Sequence, residues 1–163
     1  MARTTQGLYF VKTLDGGPPA MGWAYLKVGT VYYQGQPVRV SNTSGTCIRM
    51  ATAGTSCYGV VSGDLATSVT TTKVSIHLAN QNNVFEVKAT GTGLPRKSVV
   101  DQVKLGLATV HNYRAILGNS AGGALRVVGF NPDDIAATVT ETVRYWVTIN
   151  TSLFGQAMAS VTM

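Results

Sequence analysis

The side chains with the greatest potential for catalysis lie in the second half of the chain. His111 follows Asp101 by ten residues, and a histidine with an aspartate forms two-thirds of a Ser-His-Asp triad. A triad also needs a nucleophilic serine in a strained turn, and no GxSxG motif occurs in the sequence. The run GNSAGG at 118–123 lacks the spacing of phosphate-binding loops and separates two β-like segments, so it predicts a hairpin turn. The sequence therefore predicts a protein that is not an enzyme.

Candidate metal ligands are few and badly spaced. Asp133 and Asp134 are adjacent, so in a strand their carboxylates would face opposite ways, and the sequence has no DxDxDG calcium motif. Cys47 and Cys57 are the two cysteines of the chain, and they form neither a CxxC pair nor a zinc-type Cys/His spacing. Their places on neighbouring strands leave a disulfide open, but two buried, reduced thiols are favoured. We expect no metal and no cofactor.

Composition and charge bear on the kind of partner. Charged residues make up 12% of the chain, about half the usual share, and the formal net charge is +6. The basic residues are scattered and do not interleave with aromatic ones, so no nucleic acid is expected, and an acidic protein partner is favoured. Residues 1–11 lack the apolar centre of a signal peptide, and no apolar run reaches the length of a membrane span. We expect synthesis in a reducing cytoplasm and no membrane association.

Alternating hydrophobicity predicts strands through most of the chain. In 28–61, short alternating runs are separated by turns rich in glycine, serine and threonine, and Ile48 is expected to face the core with Arg49 opposed. The segment 84–90 predicts a strand with Phe85 and Val87 facing inward, and 138–149 alternates along its whole length with Tyr145 and Val147 on its apolar side. These patterns predict one all-β domain over 21–149, a small β-barrel or a β-sandwich of the jelly-roll type.

Two terminal segments are predicted to lie outside this domain. Residues 1–20 contain a short apolar patch and end in GGPP, which breaks any regular element, so they are interpreted as an extended N-terminal arm. The arm is either a frayed terminus or a segment that adds a strand to a neighbouring subunit. Residues 150–163 are an uncharged C-terminal tail that could form a second arm. The candidate partner-binding residues of the N-terminal arm are Leu8, Tyr9, Phe10 and Val11.

Three further residues are candidates for partner contacts. Arg96 and Lys97 lie in a loop and form a basic patch, which is either solvated loop charge or a docking contact. Trp146 falls on the polar face of the strand at 138–149, which suggests that a neighbour covers it.

A cluster of aromatic residues follows the N-terminal arm. Aromatic side chains on a strand can form a platform on which sugars stack, but they more often fill a core and keep a polar tip at its edge. The interpretation as core residues is favoured. The cluster consists of Trp23, Tyr25, Tyr32 and Tyr33.

Three stretches together resemble a known family. They are YYQGQPVRV at 32–40, MATAGTSCYGVV at 50–61 and FNPDDIAATVTETVRYWVTI at 130–149. Their pattern of glycine, proline-valine and a late alternating strand resembles that of the head decoration, or cement, proteins of tailed bacteriophages. The resemblance implies a β-barrel or β-sandwich, commonly a homotrimer, that binds the outer surface of an assembled capsid. The implied partner is the major capsid protein, the implied location is the virion exterior, and no catalytic residue is implied.

Two other hypotheses belong to different classes of protein. The chain could be a carbohydrate- or receptor-binding β-sandwich module of a viral fibre or secreted protein, with Trp23, Trp146 and the tyrosines as its stacking platform. It could also be a small hydrolase that uses His111 and Asp101.

Overall fold

The structure is a computed structural model that describes residues 7–41, 45–49, 57–63, 72–90, 102–109, 112–116, 125–134 and 143–150. Within these ranges the chain is nearly all-β, which confirms the predicted fold class. A 3₁₀ turn, Pro132–Asp134, accompanies the strands. In chain order the strands are β1 (Tyr9–Thr13), β2 (Met21–Leu26), β3 (Pro37–Val40), β4 (Cys47–Arg49), β5 (Gly59–Val61), β6 (Thr72–Leu78), β7 (Asn83–Thr90), β8 (Gln102–Thr109), β9 (Asn112–Ile116), β10 (Leu125–Phe130) and β11 (Arg144–Ile149).

Strands β2 to β6 form a small closed barrel in the order β2-β4-β3-β5-β6. The barrel closes because β6 pairs with the whole length of β2, from Met21 opposite His77 to Leu26 opposite Thr72. Alternate side chains of each strand point inward and fill the interior. The residues of this interior include Ala24, Leu26, Tyr32, Val38, Cys47, Val61 and Ile76.

The predicted inward-facing residue of strand β4 is wrong. In β4 the residue buried in the interior is Cys47, which is 3% exposed, whereas Ile48 is only half-buried. Because alternate residues of a strand face opposite ways, Arg49 shares the side of Cys47 rather than opposing a buried Ile48. A β4 strand of three residues is too short for its alternation to fix the inward face.

The remaining strands form a six-stranded sheet in the order β1-β7-β11-β10-β8-β9. This sheet curls so far that the end of β7 also pairs in parallel with β9, at Ala89 and Thr90. Register shifts in the β1–β7, β10–β11 and β8–β9 ladders are consistent with the strong bend, since bulges increase local twist. The inward faces of β7 and β11 are those that the sequence predicts, with Phe85, Val87, Tyr145 and Val147 buried.

The barrel and the curled sheet share a wall. Val60 of β5 belongs to the core of the curled sheet, together with Cys57, which precedes β5, and Ala79, which follows β6. Val61 and Ile76, the alternate residues of the same two strands, belong to the barrel interior. Strand β5 therefore buries both of its faces, and β1 packs on the outer side of β6 at His77, so the two units form one packed body.

The predicted boundary between an N-terminal arm at 1–20 and a β-domain that begins at residue 21 is wrong. Residues 9–13 form the edge strand β1, which pairs with β7 from Tyr9 opposite Glu86 to Thr13 opposite Asn83. Leu8 is 0% exposed in the core of the curled sheet, and its N–H donates to the Gly35 carbonyl oxygen at 2.8 Å. The apolar patch therefore docks on the chain's own β7, a pairing across more than seventy residues that periodicity cannot reveal. Of the predicted tail at 150–163, all but the first residue lies outside the described residues.

The backbone at Gly7 and Leu8, just before β1, lies directly against the backbone of the loop at Gly35. Gly35 has φ +87°, and a Cβ there would lie 3.1 Å from the Tyr9 ring and 3.2 Å from the Leu8 carbonyl oxygen. Gly7 has the reciprocal constraint, because a Cβ on it would lie 2.6 Å from the Gly35 oxygen. Only glycine meets both requirements, a left-handed backbone and a contact between two main chains.

The connection from β1 to β2 is held by asparagine side chains. Asn83 is fully buried, and its Nδ2 donates to the carbonyl oxygens of Ala20 and Leu78 at 3.0 Å each. Asp15 donates its N–H to Asn82 Oδ1 at 3.2 Å and accepts the Gly17 N–H at 2.9 Å. The GGPP segment is therefore a fixed turn that leads from the curled sheet into the barrel.

Candidate functional site

The outer side of β2 exposes large apolar side chains. Trp23 is 58% exposed and Tyr25 is 55% exposed, while Ala24 and Leu26 are 1% exposed. The interpretation of Trp23 and Tyr25 as core residues is therefore wrong, whereas Tyr32 is in the core as predicted. Ala24 and Leu26, which alternate with these aromatics, take the inward positions of the closed barrel. Met21, 43% exposed, belongs to the same outward row.

Lysines border this aromatic row. Lys73 of β6 pairs with Tyr25, and its Nζ lies over the Trp23 ring at 4.7 Å from the ring centroid. Lys27 follows β2 directly and is exposed. We call the surface formed by Met21, Trp23, Tyr25 and Lys73 the β2 face. It combines an apolar contact area with an ammonium group held against an aromatic ring.

Charge is unevenly distributed between the two units. On the described strands and flanking residues of the barrel the charged side chains are all cationic: Lys27, Arg39, Arg49 and Lys73. The described carboxylates lie elsewhere, at Asp15 in the β1–β2 connection and at Glu86, Asp133 and Asp134 in the curled sheet. The described part of the barrel is therefore electropositive, which favours contact with negatively charged groups.

Trp146 of β11 lies in the curled sheet, within a network of polar and charged side chains. Its Nε1 donates to Glu86 Oε2 at 3.4 Å, and Lys12 of β1 places its Nζ 4.4 Å from the ring centroid. The sequence suggested that a neighbour covers this tryptophan. Lys12 of β1, in the same chain, supplies part of that cover. A role of Trp146 in partner binding stays a prediction.

Arg144 ties the 3₁₀ turn to β11. Its Nε and Nη2 donate to the two oxygens of Asp134 at 3.0 Å each, and its N–H donates to Oδ2 at 2.8 Å. These hydrogen bonds from Arg144 lower the pKa of the Asp134 carboxyl. Asn131 adds a bond from Nδ2 to Glu86 Oε2 at 2.9 Å. The acidic residues here thus complete a structural network rather than standing ready as acid–base pairs.

The cysteine thiols are unsuited to chemistry. Both are free and buried, as predicted, and burial raises the pKa of Cys57 to about 12. Burial also raises the pKa of Cys47. A thiol needs to ionise to act as a nucleophile or metal ligand, so neither residue is a candidate for either role at neutral pH. In the described part of the chain, no group of three or more His, Cys, Asp or Glu residues could hold a metal ion.

His77 lies where β1 packs on the barrel. Its ring stacks on Phe10 with centroids 4.6 Å apart and an interplanar angle of 8°, and its Nδ1 is buried without a hydrogen-bond partner among the described residues. Burial lowers the pKa of the imidazole. His77 is half-buried, because β1 covers the outer side of β6 here.

His77 gives the fold a pH dependence with a definite sign. Because its folded pKa is lowered, the unfolded chain takes up the proton first, so stability falls as pH drops below about 6.5, the ordinary pKa of histidine. We expect a His77→Phe variant, which keeps an aromatic ring against Phe10, to lose less stability over that range. Urea unfolding of both proteins at a series of pH values measures this. Both proteins retain His111, so parallel stability curves would contradict the prediction.

The described residues among those that the sequence selected for partner binding differ in their exposure. Leu8 is buried, Tyr9 and Phe10 are half-buried between β1 and its neighbours, and Val11 is 39% exposed. Arg96 and Lys97 lie outside the described residues, as do Asp101, His111 and the GNSAGG run. Sequence reasoning favoured the core for Trp23 and Tyr25 and kept their exposure as an alternative, although the spacing of GWAYL, with Ala24 and Leu26 at alternate positions, carried the signal.

Comparisons with known proteins add no family assignment. No protein-family model matches the chain, and no curated protein sequence matches it significantly. Among the described residues, no helix has the length and apolar character needed to cross a membrane.

Proposed function

We propose that this chain is a structural virion protein that binds the outer surface of an assembled bacteriophage capsid and stabilises contacts between capsomers. The observation that carries the proposal is the β2 face, an exposed aromatic surface with lysines beside it on a closed, packed barrel. A rigid scaffold that presents an apolar, cationic surface suits recognition of another protein. The side chains of the described residues most capable of chemistry, the two thiols and the carboxylates around Arg144, are buried or engaged in the fold.

The resemblance to head decoration proteins supports the same proposal. The first of its three stretches ends in β3, the second in β5, and the third runs from the end of β10 through the 3₁₀ turn to β11. These are elements of the barrel wall and of the Arg144 network, so they support a similar architecture. The step from architecture to capsid binding is an analogy, since one fold can serve many functions.

The physical properties of the chain fit attachment to a shell. A capsid repeats the same surface many times, so a small domain that forms a homotrimer can reach strong overall binding from modest individual contacts. The net charge of +6 would steer the protein towards an acidic surface and mainly raise the association rate. The proposed partner is the major capsid protein, and the proposed location is the virion exterior.

Co-sedimentation with purified empty shells of the virus that encodes the chain tests the proposal. We expect the protein to pellet with mature shells and to stay in solution with unassembled capsid protein, because the site spans neighbouring capsomers. Decorated particles should also release their genome at a higher temperature than undecorated ones. Equal release temperatures, together with no co-sedimentation, would contradict the proposal.

One observation favours a second candidate function. Trp23 and Tyr25 are exposed side by side on β2, which is the arrangement that a sugar-stacking platform requires. A carbohydrate- or receptor-binding module would show hits on a glycan array and a change of tryptophan fluorescence on adding the matching sugar. An array without hits would remove this candidate.

A further inference from the structure

We infer that the β2 face is the docking surface of this protein and that its occupant is an acidic protein surface, in which carboxylates flank an apolar contact. This inference rests on the proposed function, because it names which face of the molecule would meet the capsid and what the capsid must offer there. Strand β1 and Trp146, which the sequence selected for partner contacts, are not part of this face.

The β2 face continues a surface that already binds an aromatic side chain inside the molecule. Outward residues of β2 and β6 lie opposite one another, with Met21 beside His77 and Tyr25 beside Lys73. At one end of this surface, Phe10 of β1 stacks on His77. At the other end, Trp23 and Tyr25 stay more than half exposed. The same outer surface is thus covered by the chain's own β1 over one part and is open over the rest.

The open part is firmly held in place. Ala24 and Leu26 anchor β2 in the barrel interior, and the Tyr58 hydroxyl donates to the Trp23 carbonyl oxygen at 3.2 Å. Aromatic side chains on a rigid strand lose little conformational freedom on binding, and tryptophan and tyrosine are enriched among residues that dominate interface energies. A rigid, open aromatic surface is therefore suited to a central interface contact.

Charge identifies the chemistry of the occupant. Lys73 lies over Trp23, Lys27 follows the strand, and the described strands of the barrel carry no carboxylate. The three described carboxylates of the curled sheet are engaged by Arg144, closely at Asp134 and more loosely at Asp133 and Glu86. An occupant with acidic side chains would gain attraction from both lysines, while a basic one would be repelled.

The geometry favours a protein over a single-stranded nucleic acid. Nucleic-acid platforms offer open ring faces for base stacking and a groove of cations that follows the backbone. Here one face of Trp23 already carries the Lys73 ammonium group, and Met21 extends the row with an aliphatic thioether instead of a ring. Apolar protein side chains fill such an irregular surface better than stacked bases do.

Two double variants and two matched controls test the inference. Trp23→Ser with Tyr25→Ser removes the aromatic contact, and Lys27→Glu with Lys73→Glu reverses the charge. The controls are Leu14→Ser, at a residue 54% exposed in the β1–β2 connection, and Arg126→Glu, at an exposed residue of β10. All six positions have exposed side chains, so we expect thermal unfolding of every variant to match that of the wild type.

The measurement is the affinity of each protein for purified empty shells. We expect both double variants to bind about tenfold or more weakly, and the controls to stay within roughly twofold of the wild type. High salt should bring the charge-reversal variant closer to the wild type, because it screens the attraction to carboxylates. That set of results supports the inference.

Other outcomes overturn it in distinguishable ways. If the wild type binds shells and both double variants bind equally well, the inference fails and the proposed function stands. If the wild type binds no shells, the proposed function fails and the inference fails with it. If the double variants change the oligomeric state, the occupant is a second copy of the chain. If the wild type binds oligothymidylate through Trp23 and Tyr25, the occupant is a nucleic acid.

Discussion

Replacing Leu8 by alanine is expected to lower the free energy of unfolding by about 2–5 kcal/mol, the usual cost of truncating a buried leucine. Leu8 is fully buried in the core of the curled sheet, where it precedes an edge strand paired with β7. Its removal leaves a cavity beneath β1 and weakens the packing that holds the start of this strand against the core. Urea unfolding followed by tryptophan fluorescence measures the change.

Leu14 provides the matched control for this prediction. It is also a leucine, six residues further along, but it is 54% exposed. Leu14→Ala should change the free energy of unfolding by less than about 0.5 kcal/mol. If Leu8→Ala were equally harmless, residues 7–13 would behave as the arm that the sequence suggested. Repeating both measurements at several protein concentrations separates intrachain packing from docking on another subunit, because only the latter depends on concentration.

A comparison of β7 with β1 shows what a local sequence pattern can predict. In β7, period-two alternation assigned Phe85 and Val87 to the core correctly. A long strand with one buried face has apolar and polar residues in regular alternation, and this pattern can be recognised in the sequence. The same pattern in residues 9–13 was too short to identify a partner. Pairing of β1 with β7 depends on a contact between distant segments, and the sequence between them does not encode that contact locally.

The candidate site was less predictable than the fold for a related reason. Trp23 and Tyr25 have the composition of core residues, and large apolar side chains are buried more often than not. Their exposure follows from barrel closure, which turns Ala24 and Leu26 inward and Trp23 and Tyr25 outward. Closure in turn requires the pairing of β2 with β6, nearly fifty residues away. The inward and outward faces of β2 could be assigned only after that pairing was known.

Replacing Arg144 by methionine is expected to lower the free energy of unfolding by about 1–2 kcal/mol near neutral pH. Hydrogen bonds to charged groups contribute about 1.5–3 kcal/mol, and the 34% exposure of the Arg144 side chain reduces this through solvent screening. The variant keeps the aliphatic length of the side chain, but among the described residues it leaves Asp134, whose side chain is 14% exposed, with the backbone N–H of residue 144 as its hydrogen-bond donor. The effect therefore arises from the lost guanidinium.

The pH dependence of this difference distinguishes ion pairing from packing. Asp134 has a lowered pKa in the folded protein, chiefly because Arg144 donates hydrogen bonds to its carboxylate. A lowered carboxyl pKa contributes stability that is fully present above the unfolded pKa of about 4 and is lost as pH falls through the folded value. The gap between the wild type and Arg144→Met should therefore narrow below about pH 4. An Arg126→Met variant on the neighbouring β10 should show almost no gap at any pH, since Arg126 is exposed. A gap for Arg144→Met that stays constant down to low pH would mean that the side chain acts by covering Asp134 and its surroundings, and not through its charge.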